Sequence, residues 1–375
     1  MTRFHIKTEI YYGTASLAYL NRHAHASVLI VTDAFMATTD VMRHVVDALR
    51  GARVTVFDRV RPNPTIEVVA DGFTSFLDAR PQVLIALGGG SSIDAAKAIN
   101  KIAVEQHLDR VEFIAIPTTS GSGSEMTSYA VITNEETQTK IALASDDMYP
   151  DVAILDPEAV RTTPAKLTAD TGMDALTHAV EAYVSRRHTD FSDAMAEKAL
   201  QLLFEYLPIT YVDGDDLEAR ERVHNASSLA GMAFENAGLG IVHSLSHAIG
   251  GVFHVPHGRL NALILPWVIE FNAEDLRVSK LPPTPTASRY AQLGRTLGAT
   301  SATTRNQVLG LVGLIKHLRR DLDIPERITD LGVAPYEFVA AIPSLAATAL
   351  ADTCTTDNPR AATANDLELL LRYLI

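Results

Sequence analysis

Residues 82–97 read Gln82-Val-Leu-Ile-Ala-Leu-Gly-Gly-Gly-Ser-Ser-Ile-Asp-Ala-Ala-Lys97. The apolar run predicts a buried strand, the three glycines predict a tight turn, and the residues from about Ser91 predict a helix. Glycines let a backbone approach a pyrophosphate closely, and the start of a helix offers free N–H groups to an anion. The pattern departs from G-x-G-x-x-G, so by itself it fits a nucleotide loop and an ordinary strand–helix turn equally well.

Similar apolar runs precede and follow this segment and alternate with helical patterns, at residues 27–32, 53–57 and 112–116. Such alternation predicts a parallel sheet with helices on both faces. Residues 129–154 predict strand pairs that leave this sheet. From Pro164 onward the strand-like runs give way to long Ala- and Leu-rich helical patterns. We therefore predict a Rossmann-like α/β dinucleotide-binding domain at 1–163, followed by an all-helical metal-binding domain at 164–375.

Composition narrows the class of protein. The 375 residues include 32 Lys and Arg against 45 Asp and Glu, a net charge of −13. This field repels phosphate backbones and anionic lipid, so we expect neither nucleic acid nor a membrane as partner. The single cysteine, Cys354, cannot form an internal disulfide. No apolar run approaches the roughly 20 residues of a membrane helix, and no signal peptide is recognisable, so we expect a cytoplasmic protein.

A second Gly/Ser-rich loop follows the strand at 112–116 and reads Pro117-Thr-Thr-Ser-Gly-Ser-Gly-Ser-Glu125. Two such loops at the carboxyl ends of parallel strands belong to the crevice where open α/β sheets bind ligands, so together they favour a nucleotide site. Asp33 could accept hydrogen bonds from a ribose and repel a 2′-phosphate, which favours NAD over NADP; its alternative role is to cap the helix from about Met36. Lys140 could contact the ribose or pyrophosphate, or be simply solvated.

A metal site is predicted in the second half of the chain. Asp174 and His178 stand at i and i+4, where one ion can reach both, and His243 and His247 repeat that spacing. His257 follows between Pro256 and Gly258 in a predicted turn. One carboxylate oxygen with imidazole nitrogens suits Fe²⁺ or Zn²⁺. The alternative, histidines packed in a polar helical core, remains open for His247 and His254.

Together these motifs resemble the iron-containing (group III) alcohol dehydrogenases over essentially the whole chain. The resemblance implies NAD(H) and Fe²⁺ as cofactors, with Zn²⁺ also fitting the ligands. It places the metal ligands on Asp174, His178, His243 and His257, and assigns proton movement near the nicotinamide to His247. It places the nucleotide contacts on Asp33, Asn63, Gly89, Gly90, Ser91, Asp94, Thr118, Thr119 and Lys140.

Within that family, three segments resemble the 1-propanol dehydrogenases of propanediol-utilisation microcompartments: residues 190–193, 224–234 and 253–258. This likeness implies an oxidoreductase that interconverts propanal and 1-propanol, acts as a homodimer, and works inside a bacterial microcompartment beside an aldehyde dehydrogenase. A reductase of another small functionalised aldehyde is the first alternative. A dehydroquinate-synthase-like lyase is the second, and it is disfavoured because the segments around the histidines offer mainly Arg259 for an anionic substrate. The complete ligand set disfavours a non-catalytic protein.

Overall fold

The computed structural model describes residues 3–136, 139–274 and 282–375. The contacts divide the chain into two compact units. The α/β unit consists of residues 5–163 together with 214–231, and the helical unit consists of the N-terminal residues up to Phe4, 164–213 and 232–375. The sequence instead assigns 214–231 to the helical domain. This segment groups with the α/β unit because its side chains bond to the loop at 117–125, as with Ser228 and Glu125.

Eight strands lie within the described residues: β1 (Glu9–Tyr12), β2 (Ser27–Asp33), β3 (Arg53–Val60), β4 (Val83–Gly88), β5 (Glu112–Pro117), β6 (Tyr129–Asn134), β7 (Thr139–Ala144) and β8 (Val152–Leu155). Six of them form one sheet in the order β1-β8-β5-β4-β2-β3, with every neighbouring pair parallel. β6 and β7 form a separate antiparallel hairpin. The predicted fold class, an α/β domain followed by helices, is confirmed.

Two of the sheet strands differ from the prediction. β8 returns the chain to the sheet between β1 and β5, although the sequence predicts that residues 129–154 stay outside it; only the β6–β7 hairpin does so. β1 lies at the sheet edge and is not predicted. Both strands are four residues long, too short for a periodic pattern to stand out.

Helices cover the sheet on both faces because alternate residues of each strand point to opposite sides. In β2, Val28 and Ile30 belong to one core cluster, which includes Val45 from a neighbouring helix. Leu29 and Val31 belong to the other, which includes Phe76 and Ile99. Strands buried on both faces appear in sequence as unbroken apolar runs, which is why β2, β4 and β5 are recognisable from sequence.

Thirteen α-helices lie in the part of the chain that the structure describes: α1 (Asp40–Ala48), α2 (Ile66–Ala79), α3 (Gly90–Glu105), α4 (Pro157–Val160), α5 (Ala165–Val184), α6 (Asp190–Val212), α7 (Leu217–Ala237), α8 (Ile241–Phe253), α9 (His257–Asn272), α10 (Pro285–Thr296), α11 (Thr304–Asp321), α12 (Pro335–Ala351) and α13 (Ala364–Arg372). None of these helices combines the length and the apolar character that crossing a bilayer requires.

α5 is the central helix of the helical unit, buried along most of its length. It packs closely on α6, since a β-carbon at Gly172 would collide with Leu207. It also packs on the first turn of α9, since a β-carbon at Gly258 would collide with the backbone oxygen of Asp170. His257, predicted in a turn, is the first residue of α9. The tight contact at Gly258 fixes where α9 begins against α5.

Candidate metal centre and nucleotide site

Three helices of the helical unit bring the predicted metal ligands together. α5 carries Asp174 and His178, α8 carries His243, and α9 begins with His257. The Asp174 Oδ1 atom lies 3.9 Å from His178 Nε2, 3.8 Å from His243 Nε2 and 3.6 Å from His257 Nε2. Ligand atoms about 2.1 Å from a tetrahedral ion stand about 3.4 Å apart. Asp174, His243 and His257 offer ligand atoms that all lie within 4.8 Å of one another and so fit one ion with a small contraction, and His178 lies beside them, 3.9 Å from Asp174 Oδ1.

Charge and burial prepare Asp174 and His257 to bind a cation. Burial raises the pKa of Asp174, but the neighbouring His178 and His257 outweigh burial and hold it below its usual range. Burial, helped by His247 and His243, puts the pKa of His257 well below 6.5. Asp174 is therefore ionised and His257 is neutral near pH 7, the protonation states that metal ligands need.

Glu181 supports the cluster and is not predicted from the sequence. It is 4% exposed, and its Oε2 lies 2.6 Å from His243 Nδ1. Its carboxylate also accepts from the backbone N–H groups of Gly240 and Val242, at 3.0 and 2.7 Å. Glu181 thus holds the ring by Nδ1 and leaves Nε2 for an ion. The sequence does contain one signal that could have identified Glu181, because Asp174, His178 and Glu181 follow the helical spacing i, i+4, i+7.

Asn261 is the second residue that the sequence reasoning missed. Its amide nitrogen lies 2.7 Å from Asp174 Oδ1, 3.3 Å from His243 Nε2 and 3.2 Å from His257 Nε2. The side-chain oxygen of Asn261 accepts a hydrogen bond from Ser246. The amide thus touches three predicted ligands and restrains them. No sequence pattern signals this, apart from its position one turn after His257.

His247 lies beside the cluster and has a carboxylate partner of its own. Its ring stacks on His257 with 5.1 Å between centroids, and its Nδ1 lies 2.9 Å from Asp352 Oδ2. Burial raises the pKa of Asp352, but the hydrogen bond with His247 outweighs it and lowers the pKa to about 2. Asp352 is therefore a carboxylate that fixes the Nδ1–H tautomer and leaves Nε2 available.

Two further residues of interest have structural roles. His254 takes the left-handed conformation, with φ 53°, and its N–H bonds back to Gly250, so it ends α8. Burial, with Asp352 and Glu181 nearby, raises the pKa of the Cys354 thiol well above its usual value. A protonated thiol is a poor nucleophile.

In the α/β unit, Asp33 and Gly88 end the adjacent strands β2 and β4, on either side of the point where the strand order reverses. Gly88 has φ +150°, and a β-carbon there would collide with Ser92 and lie 3.9 Å from Asp33 Oδ2. Asp33 Oδ1 accepts from the Met36 N–H at 2.8 Å. Asp33 thus bonds with one oxygen to the start of a short 3-10 turn, Met36–Thr38, while its other oxygen faces the glycine turn; α1 itself begins at Asp40 and is capped by Thr39.

The two Gly/Ser loops lie against each other. A β-carbon on Gly89 would be 3.1 Å from Thr119 Oγ1, and one on Gly90 would be 3.1 Å from the Ser122 side chain. Ser91 follows in the first turn of α3, whose N-cap position has no side-chain hydrogen bond among the described residues. The N–H groups of Ser92 and Ile93 already donate to the Gly89 oxygen, so those of Gly90 and Ser91 are the ones available for an anion.

Asp94 and Thr118 form hydrogen bonds that join segments of the predicted nucleotide site to one another. Asp94 accepts from Ser124 Oγ at 2.7 Å and from the Val131 N–H at 2.9 Å, and the Thr118 N–H donates to the Gly88 oxygen at 3.0 Å. One oxygen of Asp94 thus braces the second loop, and the other bonds to β6. A nucleotide that contacted Asp94 would therefore bind to oxygens that already accept these hydrogen bonds.

Asn63 and Lys140 lie at the β6–β7 hairpin. Asn63 is exposed with φ 56°, and the next residue, Pro64, accepts from the Thr133 N–H at 2.8 Å. Thr133 pairs with Lys140 across the hairpin. Lys140 is near enough to Asp94 for its charge to counteract, in part, the burial that raises the Asp94 pKa.

A cavity of about 490 Å³ adjoins this region of the α/β unit. Ala34, next to Asp33, lines it together with Val60 and Thr65. Its charged lining consists of four carboxylates and two guanidinium groups: Asp58, Glu67, Asp71, Glu135, Arg59 and Arg61. The charged lining is therefore net acidic.

Two family models match nearly the entire chain. The model described as iron-containing alcohol dehydrogenase matches residues 7–157. The model described as the C-terminal part of the Fe-containing alcohol dehydrogenase family matches residues 168–375.

Individual relatives are also named as dehydrogenases or oxidoreductases. A 1-propanol dehydrogenase of Salmonella typhimurium is 42% identical, with 100% of each chain covered. An NADPH-dependent butanol dehydrogenase of Clostridium saccharobutylicum is 38% identical, with 96% of this chain and 94% of that protein covered. Among solved structures, a 1,3-propanediol oxidoreductase matches with a TM-score of 0.92 and 32% identity, and 100% of each chain is covered.

Proposed function

The chain belongs to the iron-containing alcohol dehydrogenase family, and we propose that it interconverts propanal and 1-propanol with NAD(H). The observation that carries this proposal is the cluster of one carboxylate and three imidazoles in which each imidazole Nε2 lies within 3.9 Å of Asp174 Oδ1. We assign Asp174, His178, His243 and His257 as ligands of Fe²⁺, with Zn²⁺ as the other ion that suits them. When bound, the ion supplies Lewis acidity to a carbonyl oxygen, and NADH supplies the hydride.

His247 is the proposed proton carrier. Reduction of an aldehyde needs a proton at the new hydroxyl, so a group that can hold one must lie close to the reacting oxygen. The His247 ring stacks on the proposed ligand His257, and Asp352 holds its Nδ1. Nε2 has no hydrogen-bond partner within the described ranges, which leaves it to exchange the proton.

The nucleotide contacts are proposed on the α/β unit. Gly89, Gly90 and Ser91 open α3 and offer N–H groups to the pyrophosphate, while Thr118 and Thr119 supply hydroxyls from the second loop. Asn63, Asp94 and Lys140 complete the proposed set. Asp33 and the net acidic cavity beside it support NAD over NADP, because a 2′-phosphate there would meet like charge.

The decisive experiment is an assay without oxygen. Purified protein is loaded with Fe²⁺, and NADH absorbance is followed with aldehydes of two to five carbons, with NADPH as the cofactor control. We expect NADH-specific oxidation that is fastest with propanal. His178→Ala should lose metal and turnover together, while His44→Ala, an exposed histidine on α1, should keep both.

Each alternative predicts another outcome. Metal and NADH binding without turnover of simple aldehydes would move the substrate to a functionalised carbonyl. A dehydroquinate-synthase-like lyase would turn over with no net loss of NADH. Full activity of His178→Ala after chelation would show that the metal assignment is wrong.

The setting of the enzyme is proposed by likeness to the 1-propanol dehydrogenases. We propose a cytoplasmic homodimer, housed in a bacterial microcompartment where an aldehyde dehydrogenase shares its propanal. Light scattering on the purified protein tests the dimer, and co-purification with microcompartment shells tests the location. We likewise keep 1–163 and 164–375 as the proposed domains.

A further inference from the structure

One face of α7 is fitted to the second Gly/Ser loop. His224, Ser228 and Gly231 follow i, i+4, i+7 and so share a side of the helix. The Ser120 hydroxyl lies 2.9 Å from His224 Nδ1, and Ser228 donates to Glu125 at 2.6 Å. These contacts belong to the α/β unit, which includes residues 214–231.

At Gly231 the backbones themselves meet. A β-carbon on Gly231 would lie 2.8 Å from the Gly123 oxygen, and one on Gly123 would lie 2.7 Å from Gly231 Cα. Gly123 has φ +60°, a conformation that strains residues with a side chain. Both positions therefore need glycine, and the loop cannot shift toward α7.

The other side of the same loop faces the first glycine turn. Gly89 and Gly90 closely approach Thr119 and Ser122, and Ser124 bonds to Asp94 on α3. The loop is thus held between the start of α3 and α7. Its shape is set from both sides before any nucleotide arrives.

The His224 ring is suited to a fixed role. It is 1% exposed, and burial, helped by the Arg220 charge, lowers its pKa to about 4. The ring is therefore neutral near pH 7. Its Nε2 has no hydrogen-bond partner among the residues described. A buried N–H without a partner is rarer than a buried acceptor without one, which favours the tautomer with hydrogen on Nδ1. His224 then donates to Ser120, and the Ser120 O–H stays free to donate elsewhere.

We propose that residues 224–231 of α7 hold the loop at 117–125 in the shape that binds NADH, and that His224, acting through Ser120, is a positioning residue for the nucleotide. This inference rests on the proposed nucleotide site. It assigns a role in cofactor binding to α7 and to two residues, His224 and Ser120, outside the predicted contact set.

The test measures the Kd of NADH by fluorescence on the full-length protein with and without Fe²⁺. His224→Phe keeps the ring volume but removes both nitrogens, and it should raise the Kd about 3- to 10-fold, the worth of one neutral hydrogen bond. Ser120→Ala should raise the Kd at least as much, and adding His224→Phe to it should change nothing further. His224→Asn keeps a donor near Nδ1 and should recover most of the affinity.

The controls separate positioning from general damage. His44→Phe changes an exposed histidine of the same unit and should leave the Kd unchanged. At saturating NADH, kcat and the KM for propanal should match wild type in His224→Phe. If that variant fails to fold, Ser120→Ala and His224→Asn still decide the question.

Two negative results have different meanings. Wild-type protein that binds no NADH would overturn the proposed nucleotide site and this inference with it. Wild-type binding with an unchanged Kd in His224→Phe and Ser120→Ala, or additive effects in the double variant, would overturn the inference alone.

Discussion

Two carboxylates in the helical unit each bond to the Nδ1 atom of a histidine ring. Glu181 bonds to Nδ1 of His243, and Asp352 bonds to Nδ1 of His247. In each ring the carboxylate fixes the tautomer and directs Nε2 to a task. The tasks differ, because His243 is a proposed metal ligand and His247 a proposed proton carrier. The same local arrangement therefore supports both metal binding and proton movement.

Glu181→Gln should weaken metal binding. The glutamine keeps the volume, but it loses the charge and presents an NH₂ group where the carboxylate accepts three N–H bonds. We expect the Kd for Fe²⁺ or Zn²⁺ to rise about 10- to 100-fold, measured by competition with a chelator. Glu197→Gln is the matched control, since its partner, the Tyr183 hydroxyl, can donate to an amide oxygen. Equal metal affinity in both variants would contradict the role of Glu181.

Metal affinity should also depend on pH through His243. Burial lowers the pKa of this ring, but the hydrogen bonds that it donates to Asp174 and Glu181 outweigh burial and raise the pKa to about 9. A raised pKa means that the proton stabilises the metal-free protein fully below pH 6.5, and that this stability is lost as pH rises through about 9. An ion must displace that proton, so its affinity should rise up to about tenfold per pH unit until pH 9.

Chelator competition at several pH values, with proton release measured by calorimetry, tests this dependence. Glu181→Gln should flatten the curve, because it removes one carboxylate that raises the pKa. An affinity that stays constant between pH 7 and 9 would contradict the prediction.

The sequence predicts local pairs of residues better than distant ones. Asp174 and His178 are recognisable from their i, i+4 spacing alone. Glu181 follows the same periodicity, but a glutamate on a helix is too common to single out. Asp352 is 105 residues from His247, and no pattern in a single chain links two such positions. Asn261 is missed because amides serve many structural roles.

At the scale of elements, α7 shows where sequence reasoning ends. The Ala- and Leu-rich pattern in the sequence predicts a helix over 217–236, one residue short of the observed Leu217–Ala237, because apolar periodicity defines a helix well. Its packing partner is not predicted. His224, Ser228 and Gly231 follow the spacing i, i+4, i+7, but only the structure shows that this side of α7 packs against the loop at 117–125. Helix bounds depend on local sequence, whereas packing partners depend on the whole fold.

Glycines in two helices should respond oppositely to alanine. Gly231→Ala places a β-carbon 2.8 Å from the Gly123 oxygen and should destabilise the protein by about 1–3 kcal/mol. Gly313→Ala, within α11, meets nothing within 4 Å and should stabilise by about 0.5–1 kcal/mol, because glycine costs entropy inside a helix. Urea unfolding followed by circular dichroism measures both. A Gly231→Ala variant as stable as wild type would refute the close packing of α7 on the loop.

At the scale of the whole molecule, the two proposed ligands belong to different units. The proposed metal ligands and their carboxylate partners lie in the helical unit, and the proposed nucleotide residues lie in the α/β unit. Ligands stabilise the native regions that hold them. Each ligand should therefore leave a separate signature in the chain.

Hydrogen exchange should reveal these two signatures. Adding Fe²⁺ or Zn²⁺ at about 100 times its Kd contributes up to about 2.7 kcal/mol and should slow exchange in α5, α8 and α9. NADH added to metal-free protein should slow exchange in β4, in the start of α3 and in residues 224–231 of α7. Mass spectrometry of peptic fragments locates the effects. Protection of α5 by NADH alone, with none in α3, would contradict the assignment.

The passage of α7 from one unit to the other bears on how the protein is made. The α/β unit takes residues 5–163 and then 214–231, while 164–213 and the residues from 232 belong to the helical unit. A ribosome releases the chain in order, at about 5–20 residues per second. After the sheet has emerged, some fifty residues of the other unit must follow before His224, Ser228 and Gly231 can reach their loop. The nascent sheet therefore waits several seconds with its Gly/Ser loop held by α3 alone, before the support from α7 can form.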